Sequence, residues 1–409
     1  MRILIVSQYF WPEHFAINEI AKTLVKKEHK VEVMTGKPNY PHGAIFDGYK
    51  SMGCQLEIHD DVAIHRIPLL ARGRGGLCLA LNYLSFVISG LIFSPRILFR
   101  RKFDVIFVYA PSPILQAIPA IFIGRLKGIP VVLWVQDLWP ESLLATGHIK
   151  NKILLKLVEY VVRFIYRNVD LLLVQSNGFI GPVTALASNT PVKYFANSVD
   201  DIFTRSATLC LPDVDGLTDG FSVMFAGNIG SAQGVEVIIE AATLLQEYTD
   251  IHFVILGDGN RRDWLVQEVK NRNLSNFHLP GQFPVETMPG FMQRASVLLV
   301  TLSNQQIFAA TVPNKMQAYM AAGRPILASL NGEGARLVVE SGAGLAVPAE
   351  DAKGLSEAVL KLYSMPEKNL ETLGSNGRRY FKEHFDHNKL LDELVNHFQV
   401  VLQNQKELN

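Results

Sequence analysis

Short apolar runs alternate with longer amphipathic stretches along the whole chain. An apolar run bounded by polar or turn residues predicts a strand buried on both faces, and the amphipathic stretches between such runs predict crossover helices. In the first half the strands fall at 3–7, 31–35, 62–67, 105–109, 131–135, 171–174 and 192–196, with helices such as 17–27 and 153–167 between them. A second series begins at 222–226 and continues at 252–256, 277–279, 297–300, 325–328 and 344–347. Between the two series, 197–220 carries Asp, Gly and Pro with little periodicity and reads as a linker, while 370–402 is helical in pattern. The expected architecture is α/β with two Rossmann-like domains facing a cleft. The first spans 1–196, the second 221–380, and a helix within 381–409 returns to the first. In open sheets of this kind ligands sit beyond the carboxyl ends of the strands, so the chemistry is expected in those loops.

Composition narrows the classes. At 409 residues, 48% hydrophobic and 19% charged, the chain is neither a disordered tail nor a mini-protein needing staples. Cys54, Cys78 and Cys210 lie far apart, which fits a reducing compartment, and the apolar run 3–6 is too short for a secretion signal. A cytoplasmic protein is expected. Net charge is +1, but residues 1–195 hold 22 basic and 13 acidic side chains, and residues 196–409 hold 17 and 25. The positive half suits nucleic acid, an anionic membrane surface or a phosphate-bearing substrate, unless surface charge is divided by chance.

Within that half, 77–94 runs 18 residues without a charge. Arg72 and Arg74 precede it, and Arg96, Arg100 and Arg101 follow. Three readings are open: a helix on a membrane surface, a core helix, or a span. The surface reading leads, because a span would strand the strand 105–109 on the wrong side of the membrane. The basic amphipathic stretch 150–167 would reinforce attachment to the inner face of the cell membrane.

Phosphate chemistry is signalled in the second half. No glycine follows the first strand, so a dinucleotide fingerprint is absent there. The strand at 222–226 instead runs into Gly227-Asn228-Ile229-Gly230-Ser231-Ala232-Gln233-Gly234 and then a helix. Glycines let backbone N–H groups approach a phosphate, although a ligand-free turn reads the same way. Gly257-Asp258-Gly259 closes the next strand. Lys315 opens the helix at 316–322, against the preference of helix N-termini for acidic residues, so an anionic ligand explains it better than helix stability does.

The order GNIGxxQG, GDG, Pro280–Phe283, TVPNKMQAYMAAGRP and GAGLAVP resembles glycosyltransferase family 4 of the GT-B fold. SQYFWPE, the K-P-N-Y-P-x-G turn at 37–43 and WVQDLWPES at 134–142 are similar to the bacterial L-fucosamine transferase group and its colanic-acid relatives. The resemblance implies that Gly227, Asn228, Gly230 and Gln233 line the diphosphate of a UDP-sugar, with Lys315 as counter-charge beside Pro313 and Asn314. Gly257, Asp258, Arg262 and the turn at Gln282 and Phe283 would hold nucleoside. Family members carry two glutamates where this chain has Ala310 and Ala318, and often a cation where Gln233 stands. Glu340, with Glu333 behind it, is then the carboxylate left for ribose, and Lys315, Arg261 or Arg262 must neutralise the leaving diphosphate.

Transfer of a sugar leaves a nucleoside diphosphate with an extra charge, which a lysine and backbone N–H groups can stabilise in place of a metal. No metal or other cofactor is expected, since the histidines show no ligand spacing and Asp213-Val214-Asp215 sits in the linker. For the acceptor hydroxyl, Asp137 past the strand 131–135 is the first candidate base, with Glu141 near it and Glu13 behind them. Helix capping explains Asp137 equally well. The expected activity is metal-independent transfer of an N-acetylated deoxysugar, L-FucNAc first, from UDP to a polyprenyl-diphosphate-linked sugar in surface polysaccharide (O-antigen or capsule) biosynthesis, with no nucleic acid involved. A sugar-nucleotide-binding scaffold without turnover and a UDP-sugar epimerase or hydrolase on the same fold are the alternatives.

Overall fold

The computed structural model describes residues 1–73, 75–145, 151–199, 201–203 and 211–408. The chain divides into two compact units, Met1–Ala196 with Asn388–Asn409, and Asn197–His387. Eight strands build the first sheet: β1 (Arg2–Val6), β2 (Lys30–Thr35), β3 (Gln55–His59), β4 (Val62–Arg66), β5 (Val105–Ala110), β6 (Val131–Val135), β7 (Leu171–Val174) and β8 (Val192–Tyr194). Their order is β3-β4-β2-β1-β5-β6-β7-β8, parallel apart from β3. Every residue of β5, β6 and β7 is buried, which is why these strands are unbroken apolar runs in the sequence. The edge strand β3 has the half-exposed sequence Gln-Leu-Glu-Ile-His and carried no such signal.

The helix Gly76–Leu98 joins β4 to β5 of the same sheet, so it is a crossover helix rather than a membrane span. Tyr83, Phe86, Val87, Gly90 and Leu98 form its buried face. Gly90 is needed there, because a Cβ would stand 2.6 Å from Pro119 on the helix Ala117–Lys127. The opposite face leaves Leu77, Leu81, Leu84, Ile88 and Ile92 exposed. The helix His387–Leu408 joins this unit: Phe398 meets Phe107 at 5.4 Å between ring centroids, and Lys27 pairs with Asp392 at 2.6 Å. The changeover falls at 387–388 rather than 380–381, because Phe381 and Phe385 are still buried in the second unit.

The second sheet is wholly parallel: β9 (Phe221–Ala226), β10 (Ile251–Leu256), β11 (Phe277–Gly281), β12 (Val297–Thr301), β13 (Ile326–Ser329) and β14 (Gly344–Val347), in the order β11-β10-β9-β12-β13-β14. The expected linker belongs to this unit, with Val214 and Leu217 buried. Arg74, Lys150 and Cys210 lie outside the described residues.

Glu13 is a brace of the first unit rather than a base. It is 2% exposed. One carboxylate oxygen accepts the N–H groups of Asn39 (2.8 Å) and Tyr40 (2.7 Å), and the other accepts that of Phe10 (3.3 Å). Asn39 in turn accepts from Arg72 N–H at 2.9 Å, and Asn82 of the crossover helix donates to Leu70 O at 2.6 Å and accepts from Gln8 at 2.7 Å. The SQYFWPE and KPNYPxG segments are thus the two halves of one buried polar network. Leaving a buried N–H unsatisfied costs about 1 kcal/mol or more. Glu13→Ala is therefore expected to lower the unfolding midpoint of this unit by roughly 6 °C or more, read by thermal denaturation.

Candidate functional site

The residues of the two glycine-rich turns expected on the donor side lie at the carboxyl ends of β9 and β10. The turns after these strands interlock: Gly227 N–H donates to Leu256 O (2.9 Å), Ile229 N–H to Asp258 O (2.8 Å) and Arg261 N–H to Ile229 O (3.0 Å). The approach is so close that a Cβ on Gly257 would stand 1.9 Å from Gly227 O, and one on Gly259 2.3 Å from Ile229 O. Only glycine fits, and Gly227 and Gly257 also hold positive φ angles of 137° and 138°. Gly227 N–H, expected on a phosphate, is therefore used inside the fold. Among the described residues, the N–H groups of Asn228, Gly230 and Ser231 have no acceptor, so they are the ones left to meet an anion.

Lys315 begins the helix Lys315–Ala322, whose position is set from both ends. The buried Tyr319 hydroxyl accepts from Ala226 N–H at the end of β9 (2.9 Å), and Arg378 donates to Ala322 O (2.7 Å) at the far end. The Lys315 amine donates to Gln233 Oε1 at 2.8 Å and stands 3.7 Å from the centroid of the Phe225 ring. Among the described residues no carboxylate pairs with it. Burial pushes its pKa from 10.5 down to about 7. A cation poor in water and without a counter-ion is prepared for an anionic ligand.

The other expected donor-side residues divide. Asp258 and Asn228 are exposed on the two turns, and Arg262 opens the helix Arg262–Asn271 with no ion pair among the described residues. Arg261 is committed, paired with Glu236 and stacked 4.2 Å from the Trp264 ring. Gln282 is exposed and Phe283 packs on Phe291 at 4.8 Å, both in the loop after β11. Pro313 and Asn314 precede Lys315, and Asn314 Oδ1 accepts from Asn197 at 2.7 Å. Ala318 is buried at 5% exposure. Glu340 does not belong here. It ends the helix Glu333–Glu340, which runs from the carboxyl end of β13 back to the start of β14, so Glu340 lies at the opposite edge of the sheet. It pairs with Arg336 at 3.0 Å, as Glu333 does at 2.6 Å.

In the first unit, Asp137 follows β6 and is half-buried. No described residue donates a hydrogen bond to its carboxylate, and burial alone lifts its pKa from 3.8 to about 7. It is not a helix cap: the helix Glu141–Ala145 starts four residues later, and Ser142 N–H donates to Leu138 O. Burial chiefly, and to a lesser extent the charge of Asp137, raises the pKa of the Tyr109, Tyr166 and Tyr83 hydroxyls, so tyrosines lie near it that periodicity could not reveal. Glu141 is exposed. Arg72 is held by aromatic rings, 3.5 Å from Tyr9 OH and 5.3 Å from the Tyr40 centroid. Arg96 and Arg100 are exposed, whereas Arg101 is tied to Glu32 at 2.7 Å. A group of three metal-ligating side chains is absent among the described residues.

Residues 220–365 match the family model described as glycosyl transferases group 1, and residues 14–197 match a glycosyl transferase 4-like domain. An Escherichia coli (strain K12) protein named as the colanic acid biosynthesis glycosyl transferase WcaI is 24% identical, with 97% of this chain and 99% of its own covered. The O-antigen chain mannosyltransferase C of Escherichia coli is 23% identical over 78% of this chain and 83% of its own. Among solved structures, sucrose-phosphate synthase from Thermosynechococcus elongatus has a TM-score of 0.75 at 16% identity, covering 98% of this chain and 99% of that one. HepE from Anabaena, solved in complex with UDP, has a TM-score of 0.70 at 13% identity, covering 98% and 100%.

The raised pKa of Asp137 has a stability consequence with a definite sign. The folded state keeps the proton up to about pH 7 while the unfolded chain loses it near 3.8, so stability from this group falls as pH rises between those values. Asp137→Asn removes that loss. Its unfolding midpoint is expected to match the wild type near pH 4 and to exceed it by a margin that grows to about pH 7 and then levels, read by thermal denaturation across pH.

Proposed function

The chain belongs to glycosyltransferase family 4 with the GT-B fold, and from that premise we propose that this glycosyltransferase works in polysaccharide biosynthesis, moving an N-acetylated deoxysugar, L-FucNAc first, from UDP to a polyprenyl-diphosphate-linked sugar. The observation that carries the reading is the Lys315 amine, desolvated and, among the described residues, without a carboxylate beside the two glycine turns. In this role it meets the diphosphate, aided by the N–H groups of Asn228, Gly230 and Ser231, and stabilises the charge that grows as the anomeric C–O bond breaks. The colanic acid and O-antigen names of its relatives support polysaccharide synthesis, and the UDP complex of a structural neighbour supports a uridine donor. No metal is assigned a part, and turnover is expected to persist in EDTA.

Asp137 is proposed as the base that takes the acceptor hydroxyl proton, a task that suits a carboxyl group titrating near 7. A base of this kind implies inversion at the anomeric carbon. Retention of configuration in the product, read by NMR, would instead implicate the leaving phosphate as base.

Attachment to the inner membrane surface is proposed for the first unit. Supporting it are the exposed Leu77, Leu81, Leu84, Ile88 and Ile92 of the helix Gly76–Leu98, and the exposed Ile153, Leu157 and Tyr160 of the helix Lys152–Tyr166. Arg96 and Arg100 lie at the end of the first of these helices. Leu81→Ser with Ile88→Ser, or Arg96→Glu with Arg100→Glu, is expected to release the protein from anionic vesicles in sedimentation. Undiminished binding by both pairs would remove this part of the reading.

The donor reading is tested with UDP. A ligand at 100 times its Kd adds about 2.7 kcal/mol of stability, so UDP is expected to raise the unfolding midpoint and Lys315→Ala to abolish the rise. At about pH 8.5 the free amine is mostly uncharged, and a bound diphosphate restores its charge. Binding there should take up a proton, seen as a calorimetric heat that varies with the ionisation enthalpy of the buffer. A UDP response without sugar transfer would favour the sugar-nucleotide-binding scaffold, a reading motivated by Ala310 and Ala318, and absence of any UDP response would remove the donor reading.

A further inference from the structure

The Lys315 amine has two neutral partners. Gln233 Oε1 accepts its hydrogen bond at 2.8 Å, and the Phe225 ring lies beneath it at 3.7 Å. Its remaining side faces Gly227, where a Cβ would stand 3.2 Å from Nζ. Gln233 closes the helical turn Ser231–Gln233 that follows the β9 glycine turn, while Lys315 opens a helix 82 residues further on. Two tips from separate elements therefore converge on one point at the edge of the glycine turn. A carboxylate at 233 would make the stronger bond but cancel the charge, whereas an amide oxygen fixes the direction of the amine and leaves its charge intact.

We infer that Gln233 is a positioning residue, whose carboxamide oxygen aims the Lys315 ammonium at the β9 turn while leaving its positive charge for the diphosphate of the donor. The inference rests on the donor reading above. The lowered proton affinity of the amine agrees with it, because neither neutral partner replaces the water lost on burial.

The test compares Gln233→Glu and Gln233→Met, each alone and combined with Lys315→Met. In the absence of ligand, Gln233→Glu should raise the unfolding midpoint at neutral pH by pairing with Lys315, and the gain should vanish in the Lys315→Met background. The same variant should bind UDP roughly 10-fold or more weakly. It should also lose proton uptake on UDP binding at about pH 8.5, because its amine is already charged. Gln233→Met should weaken UDP yet keep the uptake, a split that a merely structural role would not produce. Binding of UDP by Gln233→Glu within about twofold of wild type, with wild-type proton uptake, overturns the inference. So does a midpoint gain that survives in the Lys315→Met background. If the ligand-free coupling is present but the wild type binds no UDP, it is the donor reading that fails, and the ligand assigned to this pair falls with it.

Discussion

The second domain depends on a backbone contact that leaves no room for a side chain. The turns after β9 and β10 touch at Gly227 and Gly257, where a Cβ would lie 1.9 Å from a carbonyl oxygen. From this contact follow the positive φ angles, the interlocked hydrogen bonds of Ile229 and Arg261, and the N–H groups of Asn228, Gly230 and Ser231 that have no acceptor among the described residues. It also sets the place of Lys315, since Tyr319 of the same helix is bonded to the last residue of β9. A cation brought to such a turn with, among the described residues, an amide and an aromatic ring beside it and no carboxylate is costly without a ligand and favourable with an anionic one. The glycine geometry and the electrostatics of the lysine are one device.

The first domain shows two carboxyl groups, one buried and one half-buried, in contrasting surroundings. Glu13 accepts three backbone N–H groups and binds two loops together. Asp137 receives no hydrogen bond from any described residue and holds its proton to about pH 7. The first arrangement leaves the oxygens occupied by backbone N–H groups, although burial raises the pKa of this carboxyl as well. The second leaves them available, with burial raising the pKa. The apolar outer face of the helix Gly76–Leu98 is a similar departure from the rule of burial, tolerated because the inner face packs on Pro119 and its neighbours.

Much of this was legible in the linear chain. Thirteen of the fourteen strands among the described residues announce themselves as short apolar runs, most plainly β5, β6, β7 and β9, which are buried throughout, and the glycine turns and Lys315 are local motifs. The exception, β3, lies at an edge with side chains in water, where no selection for an apolar run operates. The family resemblance added an expected set of donor residues, yet it could not say that Gly227 N–H is spoken for or that the Lys315 amine donates to Gln233.

The sequence by itself thus determined the two α/β domains, through periodicity, and the class of reaction, through the family resemblance that its ordered motifs carry. Only the tertiary structure decided which charged groups are free. Glu13 meets its partners 26 and 27 residues away, Arg101 meets Glu32 across 69, and Lys315 meets Gln233 across 82. Glu340 is removed from the donor site by the direction of one short helix. The state of a charge is set by the water and dipoles around it in space, and residues far apart in the chain supply them.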